Sequence, residues 1–197
     1  PSTSWHPEFD DVNNDGRLDL YVSKGNVDAS AGSALKDPNE LLLQGTDGTF
    51  RRAAKQAGIL SPIRTRGAAL VDLNRDGLLD LVEVNRYENV AIWRNVGRGT
   101  AKKPKAMGHW LGVRASQDGA NPDAIGAWIE VRAGQQTTLR EIASGGGHAG
   151  GSLGPIHFGL GKQDEAEVRV TWPDGVVGEW QTVEADQVIT VKREETT

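Results

Sequence analysis

Asp11, Asn13, Asp15 and Asp19 place side-chain oxygens at positions one, three, five and nine of "DVNNDGRLD". Asp72, Asn74, Asp76 and Asp80 repeat the pattern in "DLNRDGLLD". Carboxylates crowded this closely repel one another, and a bound cation relieves that repulsion. A glycine at position six, Gly16 or Gly77, lets the backbone bend sharply round a point. Position seven, Arg17 or Leu78, then offers its backbone carbonyl oxygen, so its side chain need not be polar. Oxygen donors without His or Cys select Ca²⁺ over zinc or copper, and Mg²⁺ fits less well because it keeps its waters. A single copy reads equally well as a solvated turn. Two copies with identical spacing favour two Ca²⁺ sites.

The second copy also satisfies the EF-hand pattern, with Glu83 at position twelve. The first copy has Val22 there, and no amphipathic helix precedes either loop. Leu18–Val22 and Leu79–Val84 are short and β-prone. The loops are therefore expected between strands, with Glu83 an outward-facing strand residue and not a ligand.

The elements that position these loops repeat with them. "DVNNDGRLDLYV" returns as "DLNRDGLLDLVEV", and "NELLLQ" is answered by "NVAIWRN". Each unit reads as strand, acidic loop, strand and a further strand after a turn, and repetition at this length implies stacked supersecondary units. "GTDGTF" is a turn by its Asp-Gly pair. "RRAAKQAGI" is the one short helix expected, with Gly58 as its stop.

Residues 96–108 lack periodicity and gather lysines around Pro104, which reads as a linker. Beyond it, "HWLGVRA", "AIGAWIEVRAG", "TTLREIA", "IHFGLG", "AEVRVTWP", "GEWQTV" and "QVITVK" are seven short β-like runs, with "WPDGVV" a hairpin turn. Val168, Val170 and Trp172 share one strand face. The expected organisation is two repeats over 1–95, the linker, and a β-sandwich-like module over 109–197, an all-β chain.

Composition narrows the function. The formal charge of −5, whose acidic excess lies in the C-terminal half, argues against a nucleic-acid partner. There is no cysteine, so neither disulfides nor thiolate chemistry are available. No apolar run reaches the length of a membrane span. The chain opens on Pro1 without an initiator Met and is expected to be a C-terminal fragment of a larger protein.

The loops between strands, repeated at about this interval, resemble the FG-GAP repeats of integrin-type β-propellers. "DAIGA", "HFGLG" and "WPDG", in that order, resemble the C-terminal module called ASPIC/UnbV. The succession of the two is similar to that in bacterial relatives of cartilage acidic protein. The resemblance implies two propeller blades, a secreted, periplasmic or cell-surface location, and structural Ca²⁺. A closed propeller of this type has more blades than two, so other chains or missing blades are expected to complete it.

Other constellations carry less. Ser144, Ser152, His148, His157 and Asp164 lack the nucleophile-elbow sequence, so no enzyme is expected. The glycine-rich "SGGGHAGGSLG" reads as a tight crossover between strands; as a ligand loop it would use Gly146, Gly147 and His148. Six tryptophans leave an alternative open, a carbohydrate-binding accessory module of a secreted enzyme. Most of them are expected in the core, with Trp180 exposed. The leading expectation is an extracellular adhesion or assembly scaffold with a protein or glycan surface partner.

Overall fold

A computed structural model describes residues 3–27, 37–148 and 150–194. The described residues form fourteen strands and no helix. They divide into two compact units, one of residues 1–12, 17–105 and 145–152, the other of residues 13–16, 106–144 and 153–197. The glycine-rich stretch thus belongs with the repeats, and the tip of the first acidic loop with the module.

The first unit contains two blade-like sheets. β1 (Ser4–Asp10), β2 (Asp19–Lys24), β3 (Glu40–Gln44) and β4 (Phe50–Arg52) form an antiparallel sheet in chain order. β5 (Thr65–Val71), β6 (Asp80–Asn85) and β7 (Ala91–Trp93) form the second in the same way. The repeat is geometric as well as sequential. The first strand pair of each sheet carries a register shift at equivalent places, between Ser4 and His6 and between Thr65 and Gly67. Period-two alternation divides each sheet into two faces. Tyr21 and Leu41 pair on one face of the first sheet, Leu81 and Trp93 on one face of the second. These side chains join Ala68 and Leu70 in one core between the sheets.

One expectation fails here. Arg51 and Arg52 are drawn into β4, paired with Leu43 and Leu42, so "RRAAKQAGI" keeps a single helical turn and not a helix. Ala57 N–H bonds to Ala53 O, Ile59 N–H bonds to Ala54 O, and Gly58 ends the turn at φ +76°. The segment after Trp93 is a hydrogen-bonded loop. Arg98 N–H donates to Lys105 O, and Thr100 and Lys103 exchange backbone bonds.

In the second unit, β8 (His109–Ser116) lies between β11 (Ile156–Gly161) and β14 (Gln187–Lys192), the latter parallel to it. β9 (Trp128–Ala133), β10 (Gln136–Glu141), β12 (Glu165–Thr171) and β13 (Gln181–Glu184) form the other sheet, ordered β10-β9-β12-β13. One core joins them, with Leu111, Val113, Ile129, Val168 and Val170 essentially inaccessible and Trp172 buried beside them. The three sequence motifs of this unit are turns and core. In "DAIGA", Gly126 N–H donates to Ile142 O and Ile142 N–H to Ala127 O, both at 2.8 Å, with Ala124 and Gly126 at positive φ. "HFGLG" buries Phe158 and Leu160, and "WPDG" closes with Gly175 N–H on Trp172 O.

Candidate metal centres

Both acidic loops leave one antiparallel strand and enter the next, and both take the same backbone path. Position four is left-handed in each (Asn14 φ 56°, Arg75 φ 61°), as is the position-six glycine (Gly16 φ 86°, Gly77 φ 81°). Two left-handed residues one apart wrap the chain tightly and turn side chains at positions one, three and five towards the loop's own amides.

The second loop shows this in full. Asp72 accepts from Asp76 N–H (3.1 Å) and Gly77 N–H (2.8 Å), while Asn74 Oδ1 accepts from Asp76 N–H (3.0 Å). Asp76 Oδ1 accepts from Leu78 N–H, and its Oδ2 meets Asn74 Nδ2 at 2.9 Å and Arg94 at 3.3 Å. In the first loop Asn13 Oδ1 accepts from Asp15 N–H at 3.2 Å, and Asp11 is buried.

Asp19 and Asp80, at position nine, do something the spacing did not reveal. Asp19 is buried and accepts from Val12 N–H (3.2 Å) and Gln44 N–H (2.9 Å). Asp80 repeats this with Leu73 N–H (3.4 Å) and Asn95 N–H (2.8 Å). Asp19 thus clamps the start of its loop to the last residue of β3, and Asp80 clamps its own to the chain just beyond β7. The Arg17 guanidinium donates to Gln44 O at 3.1 Å, whereas the Leu78 side chain is buried.

The donor set fits a hard cation in chemistry and order. Burial raises the Asp80 carboxyl above its ordinary value, and the charges of Asp76 and Asp72 push it further the same way. A divalent ion would offset that repulsion. Among the described residues, no three His, Cys, Asp or Glu side chains converge as a ready-made cage. In the second loop the oxygens are instead engaged by loop amides, which an ion would have to draw inward together with Asn74.

Glu83 is the principal correction. It is fully buried, not outward, and shares the Leu81 face of β6. Its Oε1 accepts from Tyr21 O–H (2.6 Å) and Asn39 Nδ2 (2.7 Å), its Oε2 from Trp93 Nε1 (2.9 Å). Asn39 Nδ2 also lies 2.7 Å from Thr65 Oγ1, which in turn reaches Asn85 Oδ1. Burial, then the Glu83 charge, pushes the Tyr21 hydroxyl far above its ordinary value. The network joins the two sheets through a carboxylate satisfied by three donors. Its signal was available: Glu83 lies two residues from Leu81, on the inward face.

The glycine-rich stretch has a packing explanation, with Ala149 outside the described residues. His6 is buried, with Nε2 3.3 Å from Glu8 Oε2 and, among the described residues, no hydrogen-bond partner at Nδ1. A Cβ on Gly147 or Gly150 would run into its imidazole ring, so bare backbone covers it. His148 N–H donates to Trp5 O, and its ring lies 5.0 Å from that of Trp5. His157 has different company: its Nε2 is 2.7 Å from Asn14 Oδ1 and its ring stacks on Trp110. The tryptophans also differ from expectation. Trp128 is exposed, whereas Trp180 is half-buried with the guanidinium groups of Arg132 and Arg169 at 3.8 and 4.4 Å from its ring centre.

Residues 11–83 match the family model described as FG-GAP-like repeat, and residues 117–197 match that described as ASPIC and UnbV. The chain carries these two modules in that order, on an all-β scaffold of blade-like sheets and a sandwich. Among curated proteins it is similar to cartilage acidic protein 1 of Xenopus tropicalis, 33% identical over 114 residues, which are 58% of this chain and 17% of that protein. The human protein of the same name is 32% identical over 112 residues, 57% of this chain and 16% of the relative. The chain thus spans less than a fifth of the length of the relatives it matches. Both modules and these relatives are of non-enzymatic types.

Proposed function

We propose that the chain is an extracellular interaction scaffold whose repeats are held by two structural Ca²⁺ ions and whose partner is a protein or glycan surface. Asp11, Asn13, Asp15, Asp19 and the Arg17 carbonyl would hold one ion. Asp72, Asn74, Asp76, Asp80 and the Leu78 carbonyl would hold the other. The observation that carries the reading is the shared backbone path of the two loops, with left-handed residues at positions four and six and oxygen-only donors around them. The metal's contribution is charge compensation at a hairpin. The chain's own residues do the rest: Asp19 and Asp80 pin the loops to neighbouring strands, and the Tyr21–Glu83 network locks sheet to sheet.

Ca²⁺ sites in extracellular modules have dissociation constants of about 10⁻⁴ to 10⁻³ M. At millimolar Ca²⁺ each site then contributes about 0.4–1.4 kcal/mol to folding. Thermal melts in Ca²⁺, Mg²⁺ and EDTA test this. A higher melting temperature in Ca²⁺ than in Mg²⁺ or EDTA is expected, and identical melts in all three would overturn it.

The carbohydrate alternative gains no support at the place that would favour it. Trp5, the tryptophan beside the glycine loop, has Arg66 over its ring at 4.4 Å and His148 against it. Among the described residues no helix is long and apolar enough to cross a membrane.

A further inference from the structure

Arg98, Lys102, Lys103 and Lys105 all fall within residues 98–105, and no acid lies between Glu88 and Asp118. A chain of net charge −5 thus keeps a wholly positive stretch, which neither the acidic loops nor the Glu83 network uses. The stretch is folded back on itself. Gly99 N–H and Lys105 N–H both donate to Val96 O, Arg98 N–H donates to Lys105 O, and Thr100 and Lys103 exchange backbone bonds. Two glycines make the crossing possible: a Cβ on Gly97 would meet Lys105 O, and one on Gly99 would meet Lys103 O. The backbone is thus engaged inside the loop while all four cationic side chains stand exposed. Among the described residues none of these four side chains has a hydrogen-bond or ion-pair partner. Lysine and arginine are almost never fully buried without an anion. This surface therefore meets either water or a negative group, whatever segments adjoin the repeats.

Like charges held this close repel, and a ligand with closely spaced anions relieves that repulsion. The residues between the cations, Gly99, Thr100, Ala101 and Pro104, offer no aromatic or large aliphatic anchor. Protein interfaces are depleted in lysine and depend on such anchors. Single-stranded nucleic acids stack their bases on aromatic rings, which the loop also lacks. An anionic polysaccharide needs neither. Its sulfate or carboxylate groups accept hydrogen bonds from lysine ammonium and arginine guanidinium groups, and its stiff chain has little freedom to lose on a preformed loop.

We propose that the loop of residues 96–105 binds an anionic polysaccharide through Arg98, Lys102, Lys103 and Lys105. Such a ligand is one class of the glycan surface named above, so the assignment rests on the extracellular reading. It needs neither Ca²⁺ site.

Titration calorimetry of the full chain with heparin (sulfate) and with an oligouronate (carboxylate only) reads it out, with poly-L-glutamate and phosphatidylserine vesicles alongside. At least one polysaccharide should bind more tightly than poly-L-glutamate, whose carboxylates sit on a flexible backbone, and the vesicles should not bind. Heparin alone would assign sulfate, the oligouronate alone carboxylate, and both together any closely spaced anion. By the counterion release of a single-stranded polyanion, neutralising the charges of these four residues makes affinity fall about fiftyfold between about 50 and 200 mM salt. Arg98→Gln, Lys102→Gln, Lys103→Gln and Lys105→Gln combined should weaken binding at least about tenfold and flatten that salt dependence. Arg51→Gln, Lys55→Gln, Lys162→Gln and Lys192→Gln combined remove the same charge from other exposed sites and should leave binding within about twofold. Far-UV circular dichroism checks that both variants fold. Equal losses in the two variants, poly-L-glutamate bound as tightly as the better polysaccharide, capture by the vesicles, or no binding to either polysaccharide would each overturn the proposal. A wild-type chain that binds neither yet melts higher in Ca²⁺ loses this partner and keeps the metal-held scaffold. One that binds heparin and melts alike in Ca²⁺ and EDTA keeps the partner and loses the metal.

Discussion

Replacing Tyr21 with Phe removes a single oxygen from the most buried polar cluster of the repeats. Its hydroxyl donates to Glu83 Oε1 at 2.6 Å, and both side chains are inaccessible to water. The ring keeps its packing, so the change isolates the hydrogen bond. A bond to a charged acceptor contributes about 1.5–3 kcal/mol. Asn39 and Trp93 still donate to the carboxylate, which holds the loss within that range and below the larger cost of an unpaired buried charge. In a chain of this size about 1 kcal/mol moves the melting temperature by about 2–4 °C, so a fall of about 3–12 °C is expected. Differential scanning calorimetry in Ca²⁺ measures it, with Tyr87→Phe as the control at an exposed phenol. Tyr21→Phe and Glu83→Gln combined should cost less than the sum of the two, because they act on one bond. A Tyr21→Phe protein that melts with the wild type would refute the network as a lock between the sheets.

Gly150→Ala places a methyl against the His6 ring and should destabilise by about 1–3 kcal/mol, while Gly145→Ala, with open space around it, should be neutral in the same urea titration. The Thr49 hydroxyl, more than its amide, holds the exposed Asp47 carboxyl below its ordinary value. Thr49→Val should raise it in an NMR titration, and remove stability that the wild type has at neutral pH and loses only as pH falls through the depressed value. Asp80 runs the other way. With its carboxyl raised in the folded state, the metal-free chain should lose stability as pH rises from the ordinary carboxylate value through the raised one. Saturating Ca²⁺ should flatten that slope, and a slope equally steep with the metal would contradict the placement of Asp80 beside it.

Much of the scaffold was readable because its signals are local or repeated. The two acidic loops announced each other, and the alternation of Val168, Val170 and Trp172 gave their shared buried face without a partner in view. The seven runs of the module became seven strands for the same reason. What escaped depended on other parts of the chain. Glu83 looks like a solvent-facing acid until Tyr21, sixty-two positions earlier in the sequence, is placed against it. Asp19 and Asp80 look like ligands alone until the amides of Gln44 and Asn95 are seen on them. The glycines at 147 and 150 needed His6 to explain them. Trp180 reads as exposed from its polar neighbours, yet two arginines on adjacent strands close over its ring.

Calorimetric titration of Ca²⁺ into the chelator-stripped chain bears most directly on the role of the repeats. Two equivalents should be taken up with dissociation constants of about 10⁻⁴ to 10⁻³ M. Asp76→Ala and Asp15→Ala should each reduce the uptake to one. Binding heats absent in the wild type, or an unchanged stoichiometry in both variants, would contradict the assignment of the two loops as its metal sites.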